Sequence, residues 1–197
     1  MVSRLTGVLD TEGKTLWQLV IERAMLTPDK QMARDEQGRT LTFAEYKNWC
    51  ERVAAGLTKL GVGEGTNVSW ILPSRFESLV LTGALSRLGA VQNPILPIYR
   101  HREVGFITRQ SNCRVLIVPG SFRGFDYPPM ANEVVASLGH AVDVIVADPH
   151  LPEADPDATG LPPYRADLHG LRWLFYRSEE HTSELQSRFG ISYAVFC

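Results

Sequence analysis

The sequence predicts an α/β fold: a doubly wound, mainly parallel sheet with helices on both of its faces. Segments such as NVSWILP and VDVIVAD are mainly apolar, without a strict alternation of apolar and polar residues, which is typical of strands that are buried on both faces. Helical segments of about ten residues separate these strands, as the βαβ units of a parallel sheet require. The chain has 197 residues, of which 44% are hydrophobic, and this is enough to bury a sizeable core.

A helix and a hairpin are predicted before the sheet begins. The helix runs from Thr15 to Met25, because apolar residues recur on one of its faces, and the proline at position 28 ends it. Residues 32–43 (MARDEQGRTLTF) then predict a short hairpin with Gly38 in its turn.

The second helix begins with a capping-box pattern. Thr42 stands where the N-cap is expected, and Glu45 follows three positions later. At helical spacing, its predicted apolar face comprises Tyr46, Trp49, Val53, Ala54, Leu57 and Leu60.

The remaining elements alternate between strand and helix. Strands are predicted at NVSWILP, AVQNPIL, CRVLIVPG and VDVIVAD. Helices between them are predicted at FESLVLTGALSRLG, REVGFITRQS and MANEVVASLG. Residues 148–163 are rich in Pro, Asp and Gly and predict an exposed connection, after which LRWLFY predicts a further short strand.

Composition excludes several classes of protein. Twenty Lys and Arg residues against 22 Asp and Glu residues leave no basic excess, so nucleic acid is not expected as a partner. No signal-peptide pattern or membrane-length apolar run is present, which favours a cytoplasmic location. Cys50, Cys113 and Cys197 are widely spaced, which predicts reduced thiols rather than disulfides or a zinc site, with Cys50 and Cys113 as small core residues.

Three apparent motifs are better explained as ordinary structure. GVGEG (residues 61–65) lies between a helix and a strand, the reverse of a phosphate-binding glycine loop, so it predicts a turn. DPDATG (residues 155–160) resembles half of a calcium loop, but alanine occupies the required glutamate position and a proline interrupts it. His101, His140, His150 and His169 lie in different elements, without the spacing of metal ligands.

The segment NPILPIYRHREV (residues 93–104) has two interpretations. Its prolines predict that the strand ends near Ile95 and that a loop precedes a helix near Arg102 and Glu103. Loops at the carboxyl ends of parallel strands commonly bind ligands. The alternative is a rigid crossover that only leads into the next helix.

Several ordered blocks of the sequence resemble one family. LTFAEY, GVGEGTNVSWILP and LSRLGAVQNPILPIY, followed by EVGFITRQSNCRVLIV, are similar to the N-terminal region of the AMP-forming acyl-CoA synthetases, which are adenylate-forming enzymes. The resemblance runs from about Leu16 to Tyr176. It implies an incomplete N-terminal part of the large domain of these enzymes.

The resemblance also implies a reaction. A carboxylic acid attacks ATP to give an acyl-adenylate and pyrophosphate, and coenzyme A then takes the acyl group as a thioester. The family uses ATP, Mg²⁺ and coenzyme A, and its ATP loop follows a strand like WLFY, so it is expected after Tyr176. No catalytic, cofactor-binding or metal-binding residue is therefore assigned, the cofactors are not expected to bind this fragment well, and the fragment is expected to be inactive.

A small carboxylic acid is expected as the partner of the full-length enzyme, and the oligomeric state is left open. The segment NPILPIYRHREV resembles members that act on medium-chain, alicyclic or aromatic acids. Two alternatives remain: an adenylation domain that loads a carrier protein, and a non-catalytic doubly wound binding module.

The C-terminal residues change character after Tyr176. RSEEHTSELQS and ISYAVFC can be back-translated into two constant blocks that resemble a widely used short-read sequencing adapter, with residues 188–190 left for its sample index. The predicted organisation is therefore an N-terminal extension (1–14), a truncated AMP-binding domain (15–176) and a non-native tail (177–197). FGISYAVF nevertheless has the composition of a strand.

Overall fold

The computed structural model describes residues 11–148, 150–177 and 191–195. Its elements, in chain order, are α1 (Leu16–Leu26), β1 (Gln31–Arg34), β2 (Thr40–Thr42), α2 (Phe43–Lys59), β3 (Asn67–Trp70), α3 (Phe76–Leu88), β4 (Val91–Pro94), α4 (His101–Gln110), β5 (Val115–Val118), β6 (Ser121–Phe122), β7 (Phe125–Asp126), α5 (Tyr127–Ala136), β8 (Asp143–Val146), α6 (Pro156–Thr159), β9 (Trp173–Arg177) and β10 (Ile191–Val195).

The central sheet confirms the predicted fold class. Its strand order is β10-β9-β4-β3-β5-β8, and every adjacent pair is parallel. The pairs β1-β2 and β6-β7 form separate antiparallel hairpins. Because β4 and β5 lie on opposite sides of β3, the direction of winding reverses there, which makes the carboxyl ends of these strands a topological switch point.

Strand β5 illustrates how the sheet is covered on both faces. Val115 and Ile117 are buried in a cluster formed with α1, α2 and α3. Leu116 and Val118 are buried on the opposite face, in a cluster formed with α4 and α5. Side chains alternate between the faces of a strand, so a strand of a sheet with two covered faces can be apolar at every position, as β5 is.

The first two helices begin as the sequence predicts. Thr15 caps α1 and Thr42 caps α2, and both form complete capping boxes, with Gln18 and Glu45 respectively. Leu60 departs from the predicted apolar face because 45% of its surface is exposed. It is the C-cap of α2, where the helical phase ends.

The segment from residue 148 to residue 163 is only partly an exposed connection. Leu151 is 3% exposed, and the backbone N–H of Ala154 donates to the carbonyl of Arg52 at 3.0 Å. The carboxylate of Glu153 accepts from Trp49 Nε1 at 2.7 Å and from Arg52 Nε at 2.8 Å. The connection therefore packs along α2, which corrects the prediction that it is simply exposed.

Most of the predicted non-native tail lies outside the described residues. The backbone of β10 pairs with β9, from Ile191 opposite Trp173 to Val195 opposite Arg177. A strand thus forms where the composition of FGISYAVF favours one. The three proposed segments of the chain remain a prediction. None of the helices in the described ranges combines the length and hydrophobicity needed to span a bilayer.

The contact between α2 and α3 contains two buried ionisable side chains, the phenol of Tyr46 and the thiol of Cys50. A Cβ atom added to Gly83 would overlap both side chains, so glycine permits the close approach of the helices. Burial raises the pKa of the Cys50 thiol from 9.0 to about 12. Burial likewise raises the pKa of the Tyr46 hydroxyl, which donates to the carbonyl of Leu79 at 3.0 Å.

These raised pKa values predict a loss of stability at alkaline pH. Above about pH 9 the unfolded chain releases protons that the folded chain retains, so the free energy of unfolding falls as the pH rises. Urea unfolding measured between about pH 8 and about pH 10.5 should show this decline. The decline should be shallower for Cys50→Ala, and an equal slope in both proteins would contradict the assignment.

Candidate functional site

Three loops converge at the carboxyl edge of the sheet, at its topological switch point. They follow β3, β4 and β5 and border a cleft of about 460 Å³. We call it the arginine cleft. Its lining residues are Glu36, Pro73, Ser74, Arg75, Pro97, Ile98, Arg100, Phe122, Arg123 and Tyr127.

Arg100 is the most firmly held of the three arginines. Its Nη1 atom donates to the carbonyls of Pro97 and Tyr99, at 2.7 and 2.8 Å. Its guanidinium carbon lies 4.0 Å from the centroid of the Phe125 ring. Tyr127 closes the arrangement, because its hydroxyl donates to the same Pro97 carbonyl at 2.7 Å. Two carbonyl acceptors and an aromatic face thus fix the guanidinium plane before any ligand arrives.

Arg75 and Arg123 are exposed and share the ring of Phe122. Their guanidinium carbons lie 5.8 and 5.3 Å from its centroid. Arg123 has a φ of 52° and the following Gly124 has a φ of 76°, so the two residues form the tight turn between β6 and β7. This hairpin brings Arg123 to the cleft.

The cleft is electropositive. Among the ion pairs formed by the described part of the chain, none involves Arg75, Arg100 or Arg123. Among the described residues that line it, Glu36 is the one acidic side chain. Guanidinium groups bind phosphate and carboxylate oxygens through paired hydrogen bonds, so the arrangement suits an anionic ligand.

The segment NPILPIYRHREV contributes to this cleft. Its strand ends at Pro94, although the Ile95 N–H still donates to the Trp70 carbonyl at 2.9 Å, and α4 begins at His101. Pro97, Ile98 and Arg100 line the cleft between these elements. The segment therefore both leads into α4 and borders a cleft, which favours the ligand-loop interpretation over a simple crossover.

Sequence reasoning assigned no site residue and did not single out these arginines. A signal was present, because Arg75, Arg100 and Arg123 each follow a different strand of the sheet. Residues at the carboxyl ends of neighbouring parallel strands meet at one edge. Taking the basic residue after each strand would have brought the three together.

The other motifs occupy ordinary structural positions. Gly61 ends α2 with a φ of 79°, and the N–H groups of Gly61 and Val62 donate to Thr58 and Leu57, which confirms a helix-ending turn at GVGEG. Asp155 caps the short helix α6, accepting from the Asp157 N–H at 3.0 Å.

The four histidines whose spacing does not suit metal ligands also lie apart from one another in the structure. His101 contacts Glu133 at 2.8 Å, and His140 Nε2 lies 3.0 Å from the carbonyl of Cys113. His150 and His169 are exposed. Within residues 11–148, 150–177 and 191–195, no cluster of three or more His, Cys, Asp or Glu side chains could hold a metal ion.

The chain matches known proteins over most of its length. The sequence profile of a family described as AMP-binding enzyme matches residues 20–187. A 2-hydroxy-7-methoxy-5-methyl-1-naphthoate–CoA ligase of Streptomyces carzinostaticus is 30% identical over 75% of this chain and 26% of its own length. A salicyl-AMP ligase / salicyl-S-ArCP synthetase of Mycobacterium tuberculosis is 35% identical over 66% of this chain and 24% of its own length.

A solved structure also shares the fold. The Mycobacterium tuberculosis fatty acyl CoA synthetase superposes with a TM-score of 0.68, at 23% identity, over 86% of this chain and 34% of that one. The chain thus spans about a quarter of the length of the two curated relatives and a third of the solved structure.

Proposed function

This chain belongs to the AMP-binding enzyme family, and on that premise we propose that it is part of an ATP-dependent carboxylic acid–CoA ligase. The complete enzyme would activate an acid as its acyl-adenylate and transfer the acyl group to coenzyme A. The observation that carries the proposal is the match over residues 20–187, in a fold whose carboxyl edge bears the arginine cleft. ATP and Mg²⁺ would be held by parts of the enzyme outside residues 15–176.

We propose medium-chain, alicyclic or aromatic acids as the substrate class. The segment NPILPIYRHREV suggests this class. Support comes from the two curated relatives, whose names specify a naphthoate and a salicyl group. The substrate itself can be identified by supplying the complete enzyme with a panel of acids from each group.

We propose that the arginine cleft holds phosphate groups of coenzyme A. Coenzyme A carries several phosphates far from its thiol, and fixed guanidinium groups are suited to such anions. Arg100 is oriented in advance by Pro97, Tyr99 and Phe125, which lowers the entropy cost of binding. Arg75 and Arg123 are exposed, and within the described ranges neither forms an ion pair that a ligand would have to break.

Charge-removing variants of the complete enzyme test this role. Arg75→Gln and Arg123→Gln should each raise the KM for coenzyme A by about tenfold, or about 1.4 kcal/mol, because each removes a charged phosphate contact. The KM for ATP and the rate of ATP–pyrophosphate exchange should not change. With pantetheine as acceptor, which lacks these phosphates, variants and parent should be equal.

Arg114→Gln is the matched control, because Arg114 lies at the start of β5, at the opposite edge of the sheet. It should leave all of these constants unchanged. A raised KM for ATP in the cleft variants, or no change for coenzyme A, would contradict the assignment of the cleft.

A carrier-protein ligase is the second candidate, favoured by the relative whose name includes salicyl-S-ArCP synthetase. Its acceptor would be a protein-bound thiol, so free coenzyme A would not support product formation by the complete enzyme. A non-catalytic doubly wound module is the third candidate, and it would give no acyl-adenylate at all. Measuring acyl-adenylate and acyl-CoA separately distinguishes the three.

We also propose that residues 177–197 are not native and that the protein is cytoplasmic. Back-translation into adapter sequence supports the first proposal, although the family match extends to residue 187. Cys50 and Cys113 are free thiols, as expected in a reducing compartment. Sequencing the source gene beyond the Tyr176 codon tests the tail directly, since the adapter codons should be absent there.

A further inference from the structure

An apolar groove of about 400 Å³ lies between α1 and β9, away from the arginine cleft. We call it the α1–β9 groove. Its apolar lining residues are Leu16, Trp17, Leu19, Leu168, Trp173 and Phe175. The rings of Trp173 and Phe175 are stacked on the same face of β9, with centroids 5.6 Å apart.

The groove is incompletely covered. Leu16 is 40% exposed and Leu168 is 45% exposed, while Trp173 and Phe175 are half-buried. A contiguous exposed apolar surface of this kind marks a contact site in soluble proteins.

The charges at the rim of the groove are already paired. Lys14 Nζ lies 2.7 Å from the carboxylate of Glu22. Arg172 Nη2 lies 2.8 Å from Glu64 Oε1 and 3.4 Å from Asp167 Oδ2. A free carboxylic acid would need an unpaired cation at this rim, so the groove suits neutral apolar side chains better than an acidic ligand.

We propose that the α1–β9 groove is an intramolecular docking surface, covered in the complete protein by apolar side chains of the polypeptide that follows Tyr176. The relatives supply the reason for choosing this occupant, because this chain spans only about a quarter of their length. Trp173 and Phe175 also belong to the strand that leads directly into that polypeptide. The inference rests on the proposal that the chain is part of a longer ligase.

Cysteine labelling on α1 tests the proposal. Leu16→Cys places a thiol in the groove, and Met25→Cys places one on the same helix at a position that is 75% exposed. Cys50 and Cys113 are buried and are not expected to react with the maleimide. Cys197 is replaced by serine in the 197-residue chain. The rate of reaction with a maleimide is measured for each variant in this chain and in the protein expressed from the uninterrupted source gene.

We expect the rate for Leu16→Cys to fall at least tenfold in the longer protein, whereas the rate for Met25→Cys stays unchanged. Equal rates for Leu16→Cys in the two proteins would overturn the proposal, as would a source gene that stops after Tyr176. Protection that grows with the concentration of the 197-residue chain would assign the groove to a second copy instead. Protection that requires added octanoic acid would assign it to a ligand.

The labelling does not depend on enzymatic activity. A longer protein without ligase activity that still protects Leu16→Cys would refute the proposed function and leave the docking surface in place. An active ligase in which Leu16→Cys stays reactive would support the proposed function and refute the docking surface.

Discussion

Replacing Gly56 with alanine is expected to lower the free energy of unfolding by about 2–3 kcal/mol, because the new methyl group meets main chain rather than a movable side chain. A Cβ atom at this position would overlap the carbonyl oxygen of Pro152 and lie 2.5 Å from its carbonyl carbon and 2.8 Å from the Glu153 nitrogen. The connection would have to move away from α2 to relieve these contacts.

Such a movement would break several interactions together. They are the hydrogen bonds from Trp49 and Arg52 to Glu153, the Ala154 N–H bond to Arg52 and the burial of Leu151. The gain in helix propensity from glycine to alanine, about 1 kcal/mol at most, does not offset this loss.

Gly105→Ala is the matched control for Gly56→Ala. Gly105 also lies inside a helix, but the nearest atom to its added Cβ is Val134 Cγ1 at 4.0 Å. We expect this variant to be stabilised by about 0.5–1 kcal/mol. Urea unfolding of the three proteins measures both effects, and equal midpoints for the two variants would show that Gly56 is not held by the connection.

The 197-residue chain itself is expected to catalyse no ATP–pyrophosphate exchange, with any carboxylic acid, above the blank without enzyme. Adenylate formation requires a loop that holds the phosphates and a metal ion that offsets their charge. The resemblance places that loop after Tyr176, where this sequence continues with RSEEHTSELQS. The arginine cleft alone can attract an anion but cannot align ATP with an acid.

The same assay on the product of the uninterrupted source gene is the positive control. It should show exchange with at least one acid of the medium-chain, alicyclic or aromatic classes. Exchange by the short chain, at a rate that scales with its concentration and persists after repurification, would contradict the prediction of inactivity.

The sequence predicted the sheet well because its strands are short, mainly apolar runs that alternate with helices, and β5 is apolar at every position. For VLIV in β5 the sequence need not reveal which residues face which side of the sheet, because both sides are buried. The capping box at Thr42 was likewise predicted, because it depends on residues only three positions apart.

The features that sequence reasoning missed depend on distant parts of the chain. Leu151 is a single apolar residue in a polar segment, so no periodicity indicates that it is buried against α2. In the sequence, Gly56 is only a weak helix former, and its role becomes visible when the structure places the Pro152 backbone beside it. Strands β6 and β7 have two residues each, too few to show alternation, so the hairpin that carries Arg123 was missed.

The register between β4 and β9 has a consequence for the order in which the protein assembles. It comprises a single pair, Gln92 opposite Trp173, supported by the Gln92 N–H bond to the Arg172 carbonyl at 2.8 Å. Strands β3, β4 and β5 lie close together in the chain, whereas β9 must close a long loop to reach β4. During synthesis the inner strands can therefore pair early, and β9 can join β4 only after the long loop between them has closed.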